Sequence, residues 1–307
     1  MSSSDSPAAT RASGFAYAFA AYLAWGAFPA YWKQLSHVPG VQLVAHRVVW
    51  SFLFVTVLLT VLRRWSELLG VLRNRRALAA LLLTTGLISI NWGLFIGAVN
   101  TGRVMEASLG YYINPLVNVL LGRLFLGERL RPLQLAAVGL ALLGVLNLTL
   151  GVGQVPWMAL ALAGSFSLYG LVRKLAPVES LTGLAVETGL AAPVGLAVLF
   201  LGGWESPVMG ATPRDTLFLI GSGVATALPL LWFALGARRL RYSTLGIIQY
   251  LAPTCQLALA VLVYGEAFTP RHAVTFALIW TAVLLYTCDG LWGRARALPS
   301  TPARQGA

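Results

Sequence analysis

Ten apolar runs, each close to twenty residues long and almost free of charged side chains, fill most of this sequence. A helix of about twenty apolar residues crosses a bilayer core of about 30 Å. Only 10% of the side chains are charged, which is far from the composition of a soluble domain. We therefore predict an all-α integral membrane protein with ten transmembrane helices. The predicted spans are 14–33, 41–62, 77–99, 105–125, 132–150, 156–175, 181–201, 215–236, 243–264 and 271–292.

Connections between helices that are rich in basic residues alternate along the chain with connections that contain few. If the N-terminus is cytoplasmic, 17 of the 22 lysines and arginines fall in inside segments and 4 in outside segments, with Arg47 left within a helix. A bias of this size follows the positive-inside rule, so both termini are predicted to be cytoplasmic. Topology therefore explains the net charge of +12, and we expect no binding to nucleic acid.

The sequence divides into two polar tails and one membrane domain. Residues 1–13 form the N-terminal tail, 14–292 the ten-helix domain and 293–307 the C-terminal tail. The first apolar run is too long for a signal-peptide core, so we interpret it as the first transmembrane helix. Cys255 and Cys288 fall in predicted spans, and two isolated cysteines indicate neither a disulfide framework nor a metal site.

An internal repeat relates the two halves of the domain, about 14–150 and about 156–292. Four residues recur 138 positions later: Pro115, Gly127, Glu128 and Pro132 match Pro253, Gly265, Glu266 and Pro270. Because each half holds five helices, an odd number, the second half must be inverted in the membrane. Inverted repeats are common in secondary transporters, which bind solute near mid-membrane between the repeats. Duplication for packing alone is the alternative.

The glycine and proline positions that recur in the two halves predict where helices end and begin, and we assign them no chemical role. Gly127 and Gly265 are suited to end a helix in the left-handed conformation. Pro132 and Pro270 are suited to the first turn of the helix that follows. We also interpret the basic segment RRWSELLGVLRNRR as an amphipathic stretch on the cytoplasmic surface.

Several stretches spread along nearly the whole chain carry a family resemblance when taken together. They are AYLAWGAFPAYWK, AHRVVWSF, NWGLFIGAVN, MEASLGYYINPLVNVLLG, SLYGLVRK and LRYSTLGIIQYLAPT. The chain resembles the RarD branch of the EamA-type drug/metabolite transporters, which are ten-helix permeases of the bacterial inner membrane. The resemblance implies a solute permease with helices 1–4 and 6–9 around a central cavity and helices 5 and 10 at the periphery. It does not identify the solute.

Arg47 is a basic residue inside the second predicted helix. An arginine at the bilayer centre costs roughly 2.5–3.5 kcal/mol on insertion scales, so it normally faces a cavity or a partner. Arg47 lies about 9 Å below the outer end of its helix, and Glu106 of the fourth helix is at similar depth. We therefore predict an Arg47–Glu106 pair near the outer mouth. Arg47 either holds a substrate carboxylate or forms part of an outer gate, with a helix–helix tie as the equal alternative.

His46 and Glu187 are further ionisable residues within predicted spans. By repeat register Glu187 corresponds to His46, so inversion places it in the inner half, separate from Arg47. We interpret Glu187 as the candidate for proton coupling. His46 has the chemistry of a proton relay, although a structural hydrogen bond is the favoured interpretation.

Polar residues form a stripe on the fourth and ninth predicted helices. Tyr111, Asn114 and Asn118 share one helix face, and Gln249 and Gln256 are the repeat counterparts of Tyr111 and Asn118. Because such side chains avoid lipid, we predict that they line the cavity. Polar contacts between helices are the alternative interpretation.

Aromatic residues in the first three predicted helices offer a stacking wall for an amphipathic solute. The candidate cavity residues are Tyr22, Trp25, His46, Arg47, Trp50, Trp92, Glu106, Tyr111, Asn114, Asn118, Glu187, Gln249 and Gln256, with Pro115 and Pro253 as hinges.

Sequence motifs limit the function further. There is no G-x-x-x-x-G-K-[ST] for ATP and no H-E-x-x-H for a catalytic metal. We therefore predict a protein that is not an enzyme and uses no cofactor or metal. The predicted function is an inner-membrane secondary transporter, a permease or exporter of small amphipathic metabolites such as amino acids or aromatic compounds, working by alternating access. Its predicted partners are the solute and the lipid bilayer, and we expect a monomer. A non-transporting membrane regulator or scaffold is the alternative.

Overall fold

The computed structural model describes the backbone of residues 7–101, 103–150, 156–203, 210–265 and 268–295. The side chains of residues 7, 8, 99, 100, 104–106 and 291–295 lie outside the described part. The α-helices are α1 (Pro7–Trp32), α2 (Gly40–Val61), α3 (Trp65–Arg73), α4 (Arg75–Asn100), α5 (Val104–Leu126), α6 (Pro132–Thr149), α7 (Trp157–Leu175), α8 (Ser180–Leu201), α9 (Pro213–Arg239), α10 (Tyr242–Gln249), α11 (Leu251–Leu262) and α12 (Pro270–Ala295). A short 3-10 turn, Lys33–Leu35, follows α1.

Eight of these helical segments are long and apolar enough to cross a membrane. They are α2, α4, α5, α6, α8, α9, α12 and the α10–α11 pair. The helices α1 and α7 fall outside this set, yet both pack between the others. Helix α1 lies against α9 and α11, and α7 lies against α4 and α5. Each predicted span therefore corresponds to helix in the described residues, and the described fold is all-α.

Two helix boundaries differ from the sequence prediction. Helix α1 begins at Pro7, so part of the predicted tail 1–13 is helical. The ninth predicted span divides into α10 and α11, which meet at Tyr250. Pro253 has no N–H to donate to the carbonyl of Gln249, so the hydrogen-bond ladder is interrupted there.

Three of the four predicted glycine and proline positions coincide with helix boundaries; the exception is Gly265, because α11 ends at Leu262. Gly127 and Gly265 have φ of 62° and 69°, in the left-handed region that favours glycine. Helices α6 and α12 begin at Pro132 and Pro270, as predicted. The turn after α5 also contacts a distant part of the chain. The Glu128 carboxylate accepts hydrogen bonds from backbone N–H groups at the start of α10.

Helix α3 is a short amphipathic connection between α2 and α4. None of its residues is buried, and the Trp65, Leu69 and Leu72 side chains are largely exposed. The α3 residue Glu67 accepts a hydrogen bond from Thr182 Oγ1 at 3.3 Å, which ties α3 to the start of α8. An exposed apolar face flanked by arginines fits the predicted position at a membrane surface.

The main apolar core lies where α1, α7 and α9 meet. Phe233 of α9 packs within 6.2 Å, centroid to centroid, of Tyr22 in α1 and of Tyr169 in α7. Trp25 and Phe166 complete this aromatic cluster, at 5.7 and 5.3 Å from the Phe233 ring. The cluster closes one side of the region in which most candidate site residues lie.

Small residues allow the closest helix crossings. At Gly223 in α9, an added Cβ would lie 2.3 Å from the backbone carbonyl carbon of Trp50 in α2. Ser51 Oγ donates to the Gly223 carbonyl at 3.0 Å across the same crossing. The α2–α9 contact therefore depends on the absence of a side chain at residue 223.

We expect Gly223→Ala to lower the free energy of unfolding by at least about 1–3 kcal/mol, because overpacking forces the two backbones apart. The measurement is thermal or denaturant unfolding of the detergent-solubilised protein. Gly139→Ala in α6 is the matched control, since a Cβ there meets nothing within 4 Å. Equal losses in the two variants would show that close packing at Gly223 is unimportant.

Candidate functional site

Arg47 of α2 is held by a hydroxyl group and two aromatic rings. Its Nε donates to Thr226 Oγ1 of α9 at 3.0 Å. The guanidinium carbon lies 4.8 Å from the Trp32 ring centroid and 5.2 Å from that of Trp92. Cation–π contacts of this kind are attractive, and more so where water is excluded. The cost of a half-buried arginine is thus offset by contacts from three helices.

The predicted Arg47–Glu106 pair concerns a side chain outside the described residues. Glu106 lies in the first turn of α5, and its carboxylate position is not described. The pairing stays a prediction.

His46, the residue before Arg47, is fully buried. Neither ring nitrogen has a hydrogen-bond partner within the described structure. Burial of a polar group without a hydrogen bond costs free energy, so His46 is an unusual feature of α2 rather than a stabilising tie. The favoured structural hydrogen bond is not formed in this conformation.

Glu187 of α8 lies in a second, separate cluster. Its carboxylate accepts hydrogen bonds from Thr84 Oγ1 at 2.6 Å and from Tyr169 Oη at 3.3 Å. Arg173 Nε of α7 is 3.5 Å from Glu187 Oε1, and the two side chains are only 1% and 4% exposed. Arg173 also donates to the Ser180 carbonyl at 2.8 Å. Glu187 is therefore a buried, ion-paired carboxylate that links α4, α7 and α8.

The polar stripe residues of α5 and α10 form a buried amide network. Asn118 Nδ2 donates to Gln249 Oε1 at 2.7 Å, and Gln249 Nε2 donates to Asn114 Oδ1 at 2.5 Å. Tyr22 Oη of α1 donates to Gln249 Oε1 at 3.4 Å. Asn114 Nδ2 donates to the Ala163 carbonyl of α7 at 2.9 Å. In this conformation the network faces other helices, the geometry expected from the alternative interpretation.

The remaining stripe residues lie on either side of this network. Gln256 Nε2 of α11 donates to the Trp25 carbonyl of α1 at 3.1 Å. Tyr111 is 40% exposed, and its ring centroid is 6.4 Å from that of Phe95. Helix α5 continues through Pro115, whereas the α10–α11 junction precedes Pro253. The two predicted hinge prolines thus differ in their local backbone.

A small cavity brings the Arg47 and Glu187 clusters together. It has a volume of about 20 Å³, room for roughly one water molecule. Trp92 and Thr226, both in contact with Arg47, line it together with Glu187 and its partner Tyr169. Its lining is Val48, Ser51, Ile88, Trp92, Tyr169, Leu184, Glu187, Thr188, Ala191, Thr226 and Leu230, from helices α2, α4, α7, α8 and α9.

Of the sequence-predicted site residues, Trp92 and Glu187 line this cavity directly, and Arg47 reaches it through its partners. Trp50 lies half-buried on α2, where its backbone packs against Gly223. Tyr22 and Trp25 lie in the aromatic cluster, with ring centroids 5.5 Å apart.

Sequence reasoning missed Arg173, Thr84 and Thr226. Arg173 was counted among the basic residues of an inside connection, although it is 2% exposed. A signal was available: Arg173 lies in the last turn of α7 and Glu187 lies two turns into α8. The short connection between the helices leaves a distance along the axis that a long arginine side chain can bridge. Threonine hydroxyls in apolar helices carry no comparable signal, because they also satisfy their own helix carbonyls.

Comparisons with known proteins also indicate a membrane transporter. A model described as the EamA-like transporter family matches residues 12–150 and again residues 155–288. "Uncharacterized transporter YojE" of Bacillus subtilis is 45% identical over 286 residues, covering 92% of this chain and 96% of that protein. "Protein RarD" of Escherichia coli is 45% identical over 285 residues, with 92% and 96% coverage. "Chloramphenicol-sensitive protein RarD" of Pseudomonas aeruginosa is 37% identical over 289 residues, with 93% and 95% coverage.

A solved crystal structure has the same fold. It aligns with a TM-score of 0.71 and 23% identity, covering 91% of this chain and 98% of that one. The family model, the relatives and the apolar helices lead to one conclusion: this chain is a multi-pass membrane transporter that belongs to the EamA-like transporter family, in its RarD branch.

Proposed function

We propose that this protein is a permease of the bacterial inner membrane that moves small amphipathic metabolites, amino acids or aromatic compounds, by alternating access. The observation that carries the proposal is the shared cavity. One wall holds Trp92 and Thr226, which contact Arg47, and another holds Glu187, which pairs with Arg173 behind it. A carboxylate, hydroxyl groups and aromatic rings within a largely apolar lining are the composition expected of a site for an amphipathic solute.

The proposed topology has ten transmembrane helices in two inverted five-helix repeats, with both termini in the cytoplasm. Two features support it: the family model matches the chain twice, and several of the most extensive helix contacts recur when the halves are exchanged. The α1–α9 contact corresponds to α7–α4, and α5–α7 corresponds to α11–α1. The pairs α2–α8 and α6–α12 correspond to themselves. The distribution of basic residues supports the orientation.

The small cavity volume supports a closed conformation of the surrounding helices. About 20 Å³ is too small for any amino acid, since ligand sites usually measure hundreds of cubic ångströms. Solute binding therefore requires the helices around the cavity to separate. In the alternating-access mechanism, the two halves separate first on one side of the membrane and then on the other.

The surroundings of Arg47 favour a solute with a carboxylate and an apolar body. A guanidinium binds a carboxylate through two parallel hydrogen bonds. Trp32 and Trp92 flank the Arg47 guanidinium and offer flat apolar surfaces beside it. Thr226 Oγ1 accepts from Nε, and within the described residues the terminal nitrogens of Arg47 have no hydrogen-bond partner, so we infer that they can bind a ligand carboxylate.

We expect one class of amphipathic carboxylate to raise the thermal stability of the purified protein. Saturation at 100 times the dissociation constant contributes about 2.7 kcal/mol of stabilisation. The measurement is a thermal-shift screen against amino acids, aromatic acids and amphenicols, followed by flux assays in liposomes. In Arg47→Gln, the shift for the active compound should disappear.

Arg214→Gln is the matched control, because Arg214 lies at the exposed start of α9 and bonds to Gln34. Its thermal shift should equal that of the wild type. If the compound stabilises Arg47→Gln equally well, Arg47 is a structural tie. If no compound produces flux, the regulator or scaffold alternative gains support.

Glu187 is the proposed coupling group, and Arg173 is its fixed partner. Protonation of Glu187 removes the negative charge beside Arg173 and weakens the contact between α7 and α8. Both side chains belong to helices that line the cavity, so proton binding and cavity opening are linked. Transport in this scheme depends on pH in the wild type but not in Glu187→Gln.

We expect the Arg173–Glu187 pair to show strong coupling in a double-mutant cycle. Glu187→Gln alone should cost about 3–5 kcal/mol of stability, because it leaves a buried arginine without its counter-charge. The double variant Arg173→Gln with Glu187→Gln should recover most of that loss. The measurement is denaturant unfolding in detergent micelles.

The exposed pair of Arg64 and Glu179 provides the comparison, with an N–O distance of 3.3 Å and side chains 38% and 44% exposed. Such a surface pair is worth about 0–1 kcal/mol, so Arg64→Gln should have little effect. Additive losses in the Arg173 and Glu187 cycle would contradict a direct interaction.

A further inference from the structure

A basic groove lies at the turn between α5 and α6, away from the central cavity. Its volume is about 500 Å³. Its lining is Arg123, Gly127, Glu128, Arg129, Leu130 and Leu135. Because α5 and α6 are both long and apolar enough to cross a membrane, the turn that joins them lies at a bilayer surface.

The carboxylate of Glu128, the acidic residue of the groove, is already hydrogen-bonded within the protein. Its carboxylate accepts hydrogen bonds from Tyr242 N at 2.6 Å, from Ser243 N at 2.9 Å and from Ser243 Oγ at 2.6 Å. Arg241 Nε is 3.8 Å from the same carboxylate. The charge of Glu128 is thus neutralised within the protein.

Two arginines of the groove have no such partner. The neighbouring Arg131 pairs with Asp289, at 3.5 Å between Nη1 and Oδ2. Arg123 and Arg129 are exposed, and within the described residues neither side chain has an ionic or hydrogen-bond partner. The groove therefore carries two uncompensated positive charges.

The walls of the groove continue onto the lipid-facing surface. Leu124 and Phe125 of α5 are 65% and 64% exposed, and Leu135 of α6 is 47% exposed. Two cations at the membrane surface with exposed apolar side chains beside them match the two parts of an anionic phospholipid, its phosphate and its acyl chains.

The second repeat contains an internal comparison. Its corresponding turn, GEAFTP, has no basic residue, whereas the first has GERLRP. Both turns begin at a left-handed glycine, Gly127 in one and Gly265 in the other. The left-handed glycine that opens the turn thus forms with or without a basic residue in the turn sequence.

We propose that this groove is a binding site for the phosphate headgroup of an anionic phospholipid, with Arg123 and Arg129 as the phosphate ligands. The acyl chains lie along Leu124, Phe125 and Leu135. Basic residues that only set topology need no groove, whereas Arg123 and Arg129 line the same one. The proposal does not depend on the identity of the solute or on transport.

Native mass spectrometry of the full chain in non-ionic detergent, titrated with dioleoyl phosphatidylglycerol, tests the site. Each arginine near an anionic headgroup contributes about 1 kcal/mol, so the double variant Arg123→Gln with Arg129→Gln should bind the tightest lipid about 30-fold more weakly. Each single variant should bind about fivefold more weakly. Phosphatidylcholine should bind the wild type and the variants alike.

The matched control is Arg75→Gln with Arg76→Gln, which removes the same charge from exposed residues at the start of α4. It should leave the tightest phosphatidylglycerol binding unchanged. An equal loss in this control, or full binding by the groove variant, would overturn the proposal. Displacement of the lipid by inorganic phosphate at the same concentration would instead indicate a simple anion site and would also overturn it.

Discussion

Polar groups and small residues decide which helices of this protein pack together, because lipid tails are as apolar as leucine and give apolar side chains no reason to prefer another helix. The α2–α9 crossing combines Gly223 with the hydrogen bond from Ser51. The α5–α10 crossing uses the bond from Asn118 to Gln249. The remaining contacts of the fold, including the aromatic cluster around Phe233, form within the helix arrangement that these few groups impose.

Much of the fold could be predicted from the sequence because length, apolarity and helix-end chemistry are local properties. The left-handed Gly127 and the first-turn Pro132 lie where the sequence predicted them. The break at Tyr250 was less accessible. Pro253 and Pro115 are equivalent in sequence, yet only the helix with Pro253 divides, so a proline alone does not determine where a helix divides.

The candidate site could be predicted only in part, since sequence gives the depth of a residue in the membrane but not the direction of its side chain. Depth predicts separate positions for Glu187 and Arg47, and the described contacts of the two residues lie in different clusters. The partner of Glu187 was missed because Arg173 looks like an ordinary basic residue at a helix end. The same limit applies to Asn114. Its polar side chain avoids lipid, but either a water-filled cavity or a neighbouring helix can provide its hydrogen bonds.

The distribution of polar contacts also constrains how the proposed mechanism can operate. The amide network joins α1, α5, α7 and α10 through hydrogen bonds that are costly to break without water, so these helices should move as a unit. The cavity is lined largely by apolar side chains of α2, α4, α8 and α9. Because Gly223 and Ser51 join α2 to α9, opening of the cavity should separate other pairs of these helices, at a cost that a bound solute offsets. Helix α7 belongs to both regions, because its residues Tyr169 and Arg173 contact Glu187 and its Ala163 carbonyl accepts a hydrogen bond from Asn114. Opening of the cavity must therefore either break the Glu187 contacts with α7 or carry Glu187 along with that helix, and neutralising Glu187 makes the first route easier.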